Sequence, residues 1–477
     1  MWKLGEIAAY TGGFVQQGDA LRAVTAVHID SRQCTAGSLF VALRGQHDDG
    51  HRFVADAVRR GAVAVLVERA VEVSSAVGVV RVPSTWTALF RWAAAVRDRL
   101  PARVIAVTGS MGKTTTKELI GHLACRVAPS FTSPGNWNSL TGVPLSLINH
   151  GRARAYVWWV QEVGINQRGE MARIAALLRP HYPVILNVGP VHLEALGTVE
   201  TVADEKTDLV RFMTPGGAVW IPGDAPLLRD RVAMKNPWDA PVWTFGENDG
   251  DVRLLGAMPT PTGMTVEVGF YRNGSLEDRW TLAIPLPQPW NARNLLPAVG
   301  LARYLFCMDR EAVATALADF RPPAHRGTVY RWRQGWTLLD DSYNANPVAV
   351  AEAVRWLARW PAQRRGAIVG DMLELGPDEV AWHRRLAEMA DWSSLDVVVT
   401  VGPRMEALAE ELRSRGVRPE VLHFATVEDV FPWFARSWRA GDVWLLKASH
   451  AMGFERFVEW VRTQFEAEED PHVVPPV

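Results

Sequence analysis

Cysteine is scarce in this chain of 477 residues: Cys34, Cys125 and Cys307 stand far apart and in no metal-ligand spacing. That excludes a disulfide framework or a thiolate zinc site and fits a reducing cytoplasm. The start, MWKLGEIAAYTGG, lacks a basic segment followed by a long apolar run. Nowhere do about 18 apolar residues run uninterrupted, so neither a secretory signal nor a membrane span is expected. Net charge is nearly absent, since 51 Lys plus Arg face 52 Asp plus Glu. No general attraction for nucleic acid or an acidic membrane follows, and an anionic ligand must be held locally. Lysine is rare as well: Lys3, Lys113, Lys117, Lys206, Lys235 and Lys447 are six of the 51 basic residues, which leaves 45 arginines. Lys113, Lys206 and Lys447 all fall in the motifs below.

The length calls for two to four domains, and the patterning suggests three, all α/β. Residues 1–100 alternate β-rich runs (23–29, 38–43, 62–67) with helical stretches after Gly50 and Ser84, as a small α/β domain does. Residues 101–319 read as a P-loop domain of the ATPase type, with near-continuous apolar strands at 104–107, 156–160, 184–188 and 218–221, the mark of a buried parallel sheet. Within it, alternating runs on either side of Asn273-Gly274 predict an antiparallel hairpin region over 252–286. Residues 320–477 repeat the strand-helix alternation, with strands at 336–339, 367–369, 397–401 and 443–446, and are expected to be Rossmann-like. The acidic and proline-bearing tail has no periodicity.

The chemistry concentrates in TGSMGKTTTK. A strand runs into Gly109, Ser110, Met111, Gly112, Lys113, Thr114 and Thr115, and an amphipathic helix follows. Glycines let backbone N–H groups wrap a phosphate, the helix N-terminus adds partial positive charge, Lys113 reaches terminal phosphates and Thr114 can bind Mg²⁺. The loop is a shortened form, because Val107 stands where the longer pattern has its first glycine. Ligands of open α/β sheets bind beyond the carboxyl ends of strands, which singles out Glu162 and His192 as partners of Thr114 around a metal. Taken singly, Glu162 reads equally as a solvated strand end and His192 as a loop histidine. Lys206 likewise reads as a salt-bridged surface lysine, and Asn136 and Asn138 as turn residues.

Together these strings resemble the Mur ligase family over nearly the whole chain. DSR at 30–32, GSLFVALRG at 37–45 and DGH at 49–51 look like its uridine-nucleotide segment. GNWNSLTGVP, EVGINQRGE and HLEALGTVETVADEK follow the phosphate loop in the family's order, and DDSYNANP, GDMLELG and Lys447-Ala448-Ser449 complete the C-terminal part. The resemblance implies Ser31, Arg44, Gly45 and Asp49 at the UDP handle, and Asn291 and Asn294 at adenine. It implies Arg326 at the phosphates, Asp341 and Tyr343 on the ribose side, and Asn136, Asn138, Asn344, Lys447 and Ser449 at substrate. Lys113, Glu162, His192 and Lys206 would form the catalytic set, with Thr114, Glu162, His192 and Lys206 around two Mg²⁺ ions and Lys206 open to carbamylation.

DDSYNANP, and the absence of the Asp-Asn-Pro-Arg signature of the ligase that adds the third peptide residue, imply one activity within the family. ATP would phosphorylate the carboxylate of UDP-N-acetylmuramoyl-tripeptide, and D-alanyl-D-alanine would attack the acyl phosphate to give the pentapeptide, ADP and phosphate. The third residue stays open between diaminopimelate and lysine, and a cytoplasmic monomer is expected. Three positions depart from the pattern: Trp290 for a His, Ser139 for an Asn and His450 for an Arg. Another family ligase or a polyglutamate ligase is the near alternative. A P-loop nucleotide switch is the distant one, and it gives Asn136, Asn138 and the C-terminal strings no role.

Overall fold

The computed structural model describes residues 1–45, 48–152, 155–191, 193–260 and 263–466. Among them the strands form three large sheets and one short pair. In the first sheet Ala26–His28, Ser38–Val41, Ala62–Val67 and Gly78–Arg81 run parallel, with Phe14–Gln17 antiparallel at one edge. The expected run over 23–29 divides, because Ala23–Val24 pairs instead with Trp2–Lys3. Periodicity cannot reveal such a change of partner.

The central sheet has nine strands, and Arg103–Thr108 lies between Trp158–Glu162 on one side and Tyr182–Ile185 on the other. Strand order therefore reverses across Arg103–Thr108, which opens a crevice at its carboxyl end. Val219–Pro222 and Val242–Gly246 extend the parallel part, and Val252–Thr260, Gly263–Arg272 and Ser275–Ile284 add the expected antiparallel ribbon. Asn273 and Gly274 both take positive φ, 51° and 80°, as a two-residue hairpin turn requires. The C-terminal sheet contains Trp336–Asp340, Asp442–Lys447, Arg364–Gly370, Val397–Val401 and Glu420–Phe424 in parallel, with Thr328–Trp332 antiparallel at the edge. Gly78–Arg81 and Val242–Gly246, which sequence patterning missed, lie inside their sheets, but the other missed strands, such as Ser130–Thr132, Thr328–Trp332 and Glu420–Phe424, lie at sheet edges. There a strand needs less apolar patterning because one side lacks a partner.

The first core is continuous across residue 100. Trp2, Ile7, Trp92 and Val96 pack in one cluster with Val104, Leu147, Trp159, Ile174 and Leu209. Polar bonds fix the same junction: Trp2 Nε1 donates to Ile148 O at 3.0 Å, and the Asn149 amide exchanges two bonds with the Val27 backbone at 2.9 and 3.0 Å. Arg97, buried in the helix Thr85–Arg99, donates to Leu178 O at 2.6 Å and Arg179 O at 3.1 Å. Those carbonyls end the helix Glu170–Leu178, where a cation also meets the negative end of the helix dipole.

On the opposite face of the central sheet the helix Asn291–Tyr304 packs beside the phosphate-loop helix Lys113–Val127. Its close approach to the sheet depends on Gly300, where a Cβ would lie 2.5 Å from Trp220 and 3.1 Å from Val252. Trp290, just before that helix, packs on the core of the C-terminal unit and meets Trp356 edge-on at 5.7 Å.

Gly300→Ala is expected to cost about 1–3 kcal/mol of stability through overpacking against Trp220. A lowered urea midpoint followed by tryptophan fluorescence would register it, and an unchanged midpoint would show that the helix shifts freely.

Candidate active site

The carboxyl ends of the central and C-terminal parallel strands open on one cavity of about 1010 Å³, whose wall includes Trp86 from the first unit. Ser110, Met111, Gly112, Lys113, Thr114 and Thr115 form its floor. Gly112 caps the helix Lys113–Val127 with φ 80°, and a side chain there would collide with Asn294 Oδ1. A conformation open to glycine and a close neighbour thus coincide. The loop is shaped by a residue that the motif search passed over: Asn187 Oδ1 accepts from Met111 N at 2.9 Å, and its Nδ2 donates to Met111 O at 3.1 Å. Asn187 falls within the run expected to be strand. The strand Tyr182–Ile185 ends before it, and the position just past a strand end was the available signal.

Glu162 ends the strand Trp158–Glu162 and is buried. Its two oxygens are held separately, Oε2 by Thr114 Oγ1 at 2.8 Å and Oε1 by Asn138 Nδ2 at 2.8 Å. Asn136 and Asn138 both line the cavity, so Asn138 is more than turn chemistry. Thr114 and Glu162 offer an oxygen set of the kind that Mg²⁺ takes beside phosphate oxygens and waters. Among the described residues there is no cluster of three or more His, Cys, Asp or Glu able to hold an ion unaided. His192 lies outside the described residues.

Lys206 is not the surface lysine that its pattern allows. It is 1% exposed, and its Nζ donates to Gly109 O at 3.1 Å, the same carbonyl that accepts from Lys113 Nζ at 2.8 Å. Burial, then the charge of Lys113, holds the Lys206 amine well below the ordinary lysine range. Burial also lowers Lys113, opposed by Glu162 and reinforced by Arg326. Two ammonium groups cannot share one buried carbonyl cheaply, and both amines are held below the ordinary lysine range.

Asn294 lines the cavity, whereas Asn291 stands behind it in a buried amide chain. Asn294 Nδ2 donates to Asn291 Oδ1 at 2.9 Å, Asn291 Nδ2 to Gln288 Oε1 at 2.6 Å, and Gln288 Nε2 to Gly327 O. Gln288 is a second residue that sequence reasoning missed; only its place three residues before Asn291 hinted at it. On the C-terminal side Arg326, Asp341, Tyr343, Asn344, Lys447 and Ser449 all reach the cavity. Lys447 Nζ is fixed by Asp341 Oδ2 at 2.5 Å and Asn344 O at 2.9 Å. Burial pushes the Asp341 carboxyl up, against the pull of Lys447 and Arg326. The Arg326 guanidinium lies 3.8 Å over the Tyr343 ring, whose other neighbour is the His450 ring at 5.2 Å.

Ser31, Arg44, Gly45 and Asp49 are not part of this cavity wall. Ser31 is buried, Gly45 N donates to Asp48 O at 2.8 Å, and Asp49 receives His51 Nδ1 at 2.6 Å and Arg69 at 2.9 Å. They connect to the cavity through Trp86, whose Nε1 donates to Arg44 O at 2.9 Å.

Comparison with known proteins gives three consecutive matches: residues 23–96 to the catalytic domain of the Mur ligase family, 107–302 to the Mur ligase middle domain, and 325–450 to the Mur ligase, glutamate ligase domain. The chain is 30% identical to UDP-N-acetylmuramoyl-tripeptide–D-alanyl-D-alanine ligase of Treponema pallidum, over 96% of this chain and 98% of that one. It is similar in structure to MurF from Acinetobacter baumannii, with TM-score 0.81, 26% identity and coverage of 97% and 99%. It is also similar to MurF ligase from Thermotoga maritima in complex with ADP, with TM-score 0.77, 27% identity and coverage of 92% and 98%.

The depressed Lys206 amine predicts a pH dependence of stability. Between its folded-state pKa and the ordinary value of 10.5 the unfolded chain binds more protons, so this contribution is complete above 10.5 and is lost as pH falls to the folded value. Melting temperature should therefore rise with pH through that window, less steeply in Lys206→Met. Parallel curves for the two proteins would contradict the lowered pKa of the buried amine.

Proposed function

The chain belongs to the Mur ligase family, and from that premise we propose that it is an ATP-dependent ligase joining D-alanyl-D-alanine to UDP-N-acetylmuramoyl-tripeptide. The observation that carries the proposal is the single cavity in which the phosphate loop with Lys113, the Thr114–Glu162 pair and the Lys447–Asp341 pair stand together. A carboxylate and an amine do not condense in water without activation, and this cavity brings a phosphate cradle to a second binding surface.

In the proposed reaction the peptide carboxylate attacks the γ-phosphorus of ATP, the bond to the β-phosphate oxygen breaks and ADP leaves. The amine of the dipeptide then attacks the acyl phosphate carbon, and the tetrahedral intermediate expels phosphate as the amine proton is lost. Lys113, now spent on the carbonyls of Gly109 and Ser110, exchanges them for phosphate oxygens. Its fixed charge, with that of Arg326, stabilises the transferring group without reorganisation. Thr114 and Glu162 would hold Mg²⁺, which when bound neutralises phosphate charge. His192 joins that assignment on sequence grounds.

The buried Lys206 amine, held well below the ordinary lysine range, supports a further modification. Its lone pair would add to the carbon of CO₂ with loss of one N–H proton, turning a buried amine beside Lys113 into a carbamate anion attracted to it. The carbamate would supply oxygen to a second Mg²⁺, which an ammonium cannot do. The proposal places the uridine handle on residues 1–100 through Ser31, Arg44, Gly45 and Asp49, adenine at Asn291 and Asn294 within 101–319, and the dipeptide at 320–477 through Asn344, Lys447 and Ser449. Asn136 and Asn138 approach the peptide, Asp341 and Tyr343 the ribose. A monomer completes the reading. No helix among the described residues is long and apolar enough to cross a membrane.

Incubation with UDP-N-acetylmuramoyl-tripeptide, D-alanyl-D-alanine and MgATP should yield the pentapeptide by mass spectrometry, and ATP turnover with no such product would defeat the assignment. Lys113→Ala should lower turnover by at least about 10²-fold, the scale for removing a preorganised charge stabiliser. Near-normal turnover would overturn the role given to Lys113.

A further inference from the structure

Arg326 reaches the cavity from the segment that joins the central and C-terminal units, and its two neighbours are unusual. His325 and Gly327 both have left-handed backbone, φ 59° and 78°. Glycine adopts that conformation freely, whereas histidine does so only against steric resistance and needs outside support. Four hydrogen bonds supply it. Gly327 N donates to Asp340 O at 2.8 Å, Gln288 Nε2 donates to Gly327 O, Tyr343 N donates to His325 O at 3.0 Å, and the His325 ring meets Asp340 Oδ2 through Nδ1 at 2.6 Å. The Asp340 side chain is fully buried, and its other oxygen accepts from Ser342 N at 3.1 Å and Ser342 Oγ at 2.6 Å. A buried carboxylate is thus wholly committed, with the His325 ring as one of its partners.

We infer that His325 is a positioning residue: its ion pair with Asp340 holds the left-handed turn that aims the Arg326 guanidinium into the cavity. The inference rests on the phosphate role proposed for Arg326. It goes further in assigning a function to a side chain outside the cavity wall.

The charged groups around the ring agree in sign. The hydrogen bond to Asp340 raises the His325 pKa most; burial opposes it, and the charges of Asp340 and of Glu455 and Glu459 on the helix Glu455–Gln464 add to the rise. The ring therefore stays protonated above the usual histidine range, and the hold on Arg326 is complete below that raised pKa and weakens as pH climbs through it. A purely structural histidine predicts no such link to nucleotide binding.

The test is calorimetric binding of a non-hydrolysable ATP analogue with Mg²⁺, from about pH 6 to about pH 9. Wild type should lose affinity on the order of tenfold across the alkaline part of that range, one pKa unit of differential interaction. His325→Asn keeps a residue that tolerates left-handed φ and an amide donor for Asp340, but it does not titrate. It should bind within about threefold of wild type at the acid end, a difference below one pKa unit, and show a flat profile. His325→Ala, which loses the donor, should bind weakly throughout. A His325→Asn profile that falls as wild type does, or a flat wild-type profile, overturns the inference. An Arg326→Ala protein that binds the analogue as wild type does would instead sink the phosphate role of Arg326, a separable failure.

Discussion

Glu162 is the group on which the rest of the site depends. Its carboxylate sits at the end of a central strand with one oxygen on Thr114 and the other on Asn138, so one buried anion joins the first turn of the phosphate-loop helix to the loop 136–138. A buried carboxylate without donors costs several kcal/mol. The strand, the helix and the loop are therefore constrained to keep their relative places. The same restraint leaves an oxygen set facing the cavity, where a metal can take over from the hydroxyl.

Charge is arranged in tiers around that anion. Lys113 faces the cavity, Lys206 lies beneath the loop on the same carbonyl, and burial, reinforced by the charge of Lys113, depresses the pKa of the inner one. A chain that otherwise writes Arg for positive charge keeps Lys at both points. A guanidinium there could not release its proton.

The three units are not independent bodies strung on linkers. The first shares a hydrophobic core with the central one, and Arg97 seals the junction by capping a helix of the neighbouring unit. The C-terminal unit is tied by narrower means: the ring contact of Trp290 with Trp356 and the amide chain from Asn294 through Asn291 and Gln288 to Gly327. That chain begins at the cavity and ends beside Arg326. Trp290 serves here as an apolar pin between units.

Much of the site was legible in the amino-acid order alone. The phosphate loop, the strand before it, the Asn273-Gly274 hairpin and the alternation of strands and helices are local, written in residue types at short spacing. Glu162 and Asn138 were visible as candidates, though their mutual hydrogen bond was not. Edge strands, the divided run at 23–29, and the roles of Asn187 and Gln288 escaped, because each depends on a partner distant in the chain. Sequence by itself determined the chemical parts and their order. Only the tertiary structure decided that Lys206 is buried, that Asn291 stands behind Asn294, and that Arg326 is pinned between two left-handed residues. Desolvation and hydrogen-bond partnership are properties of surroundings that long-range packing creates.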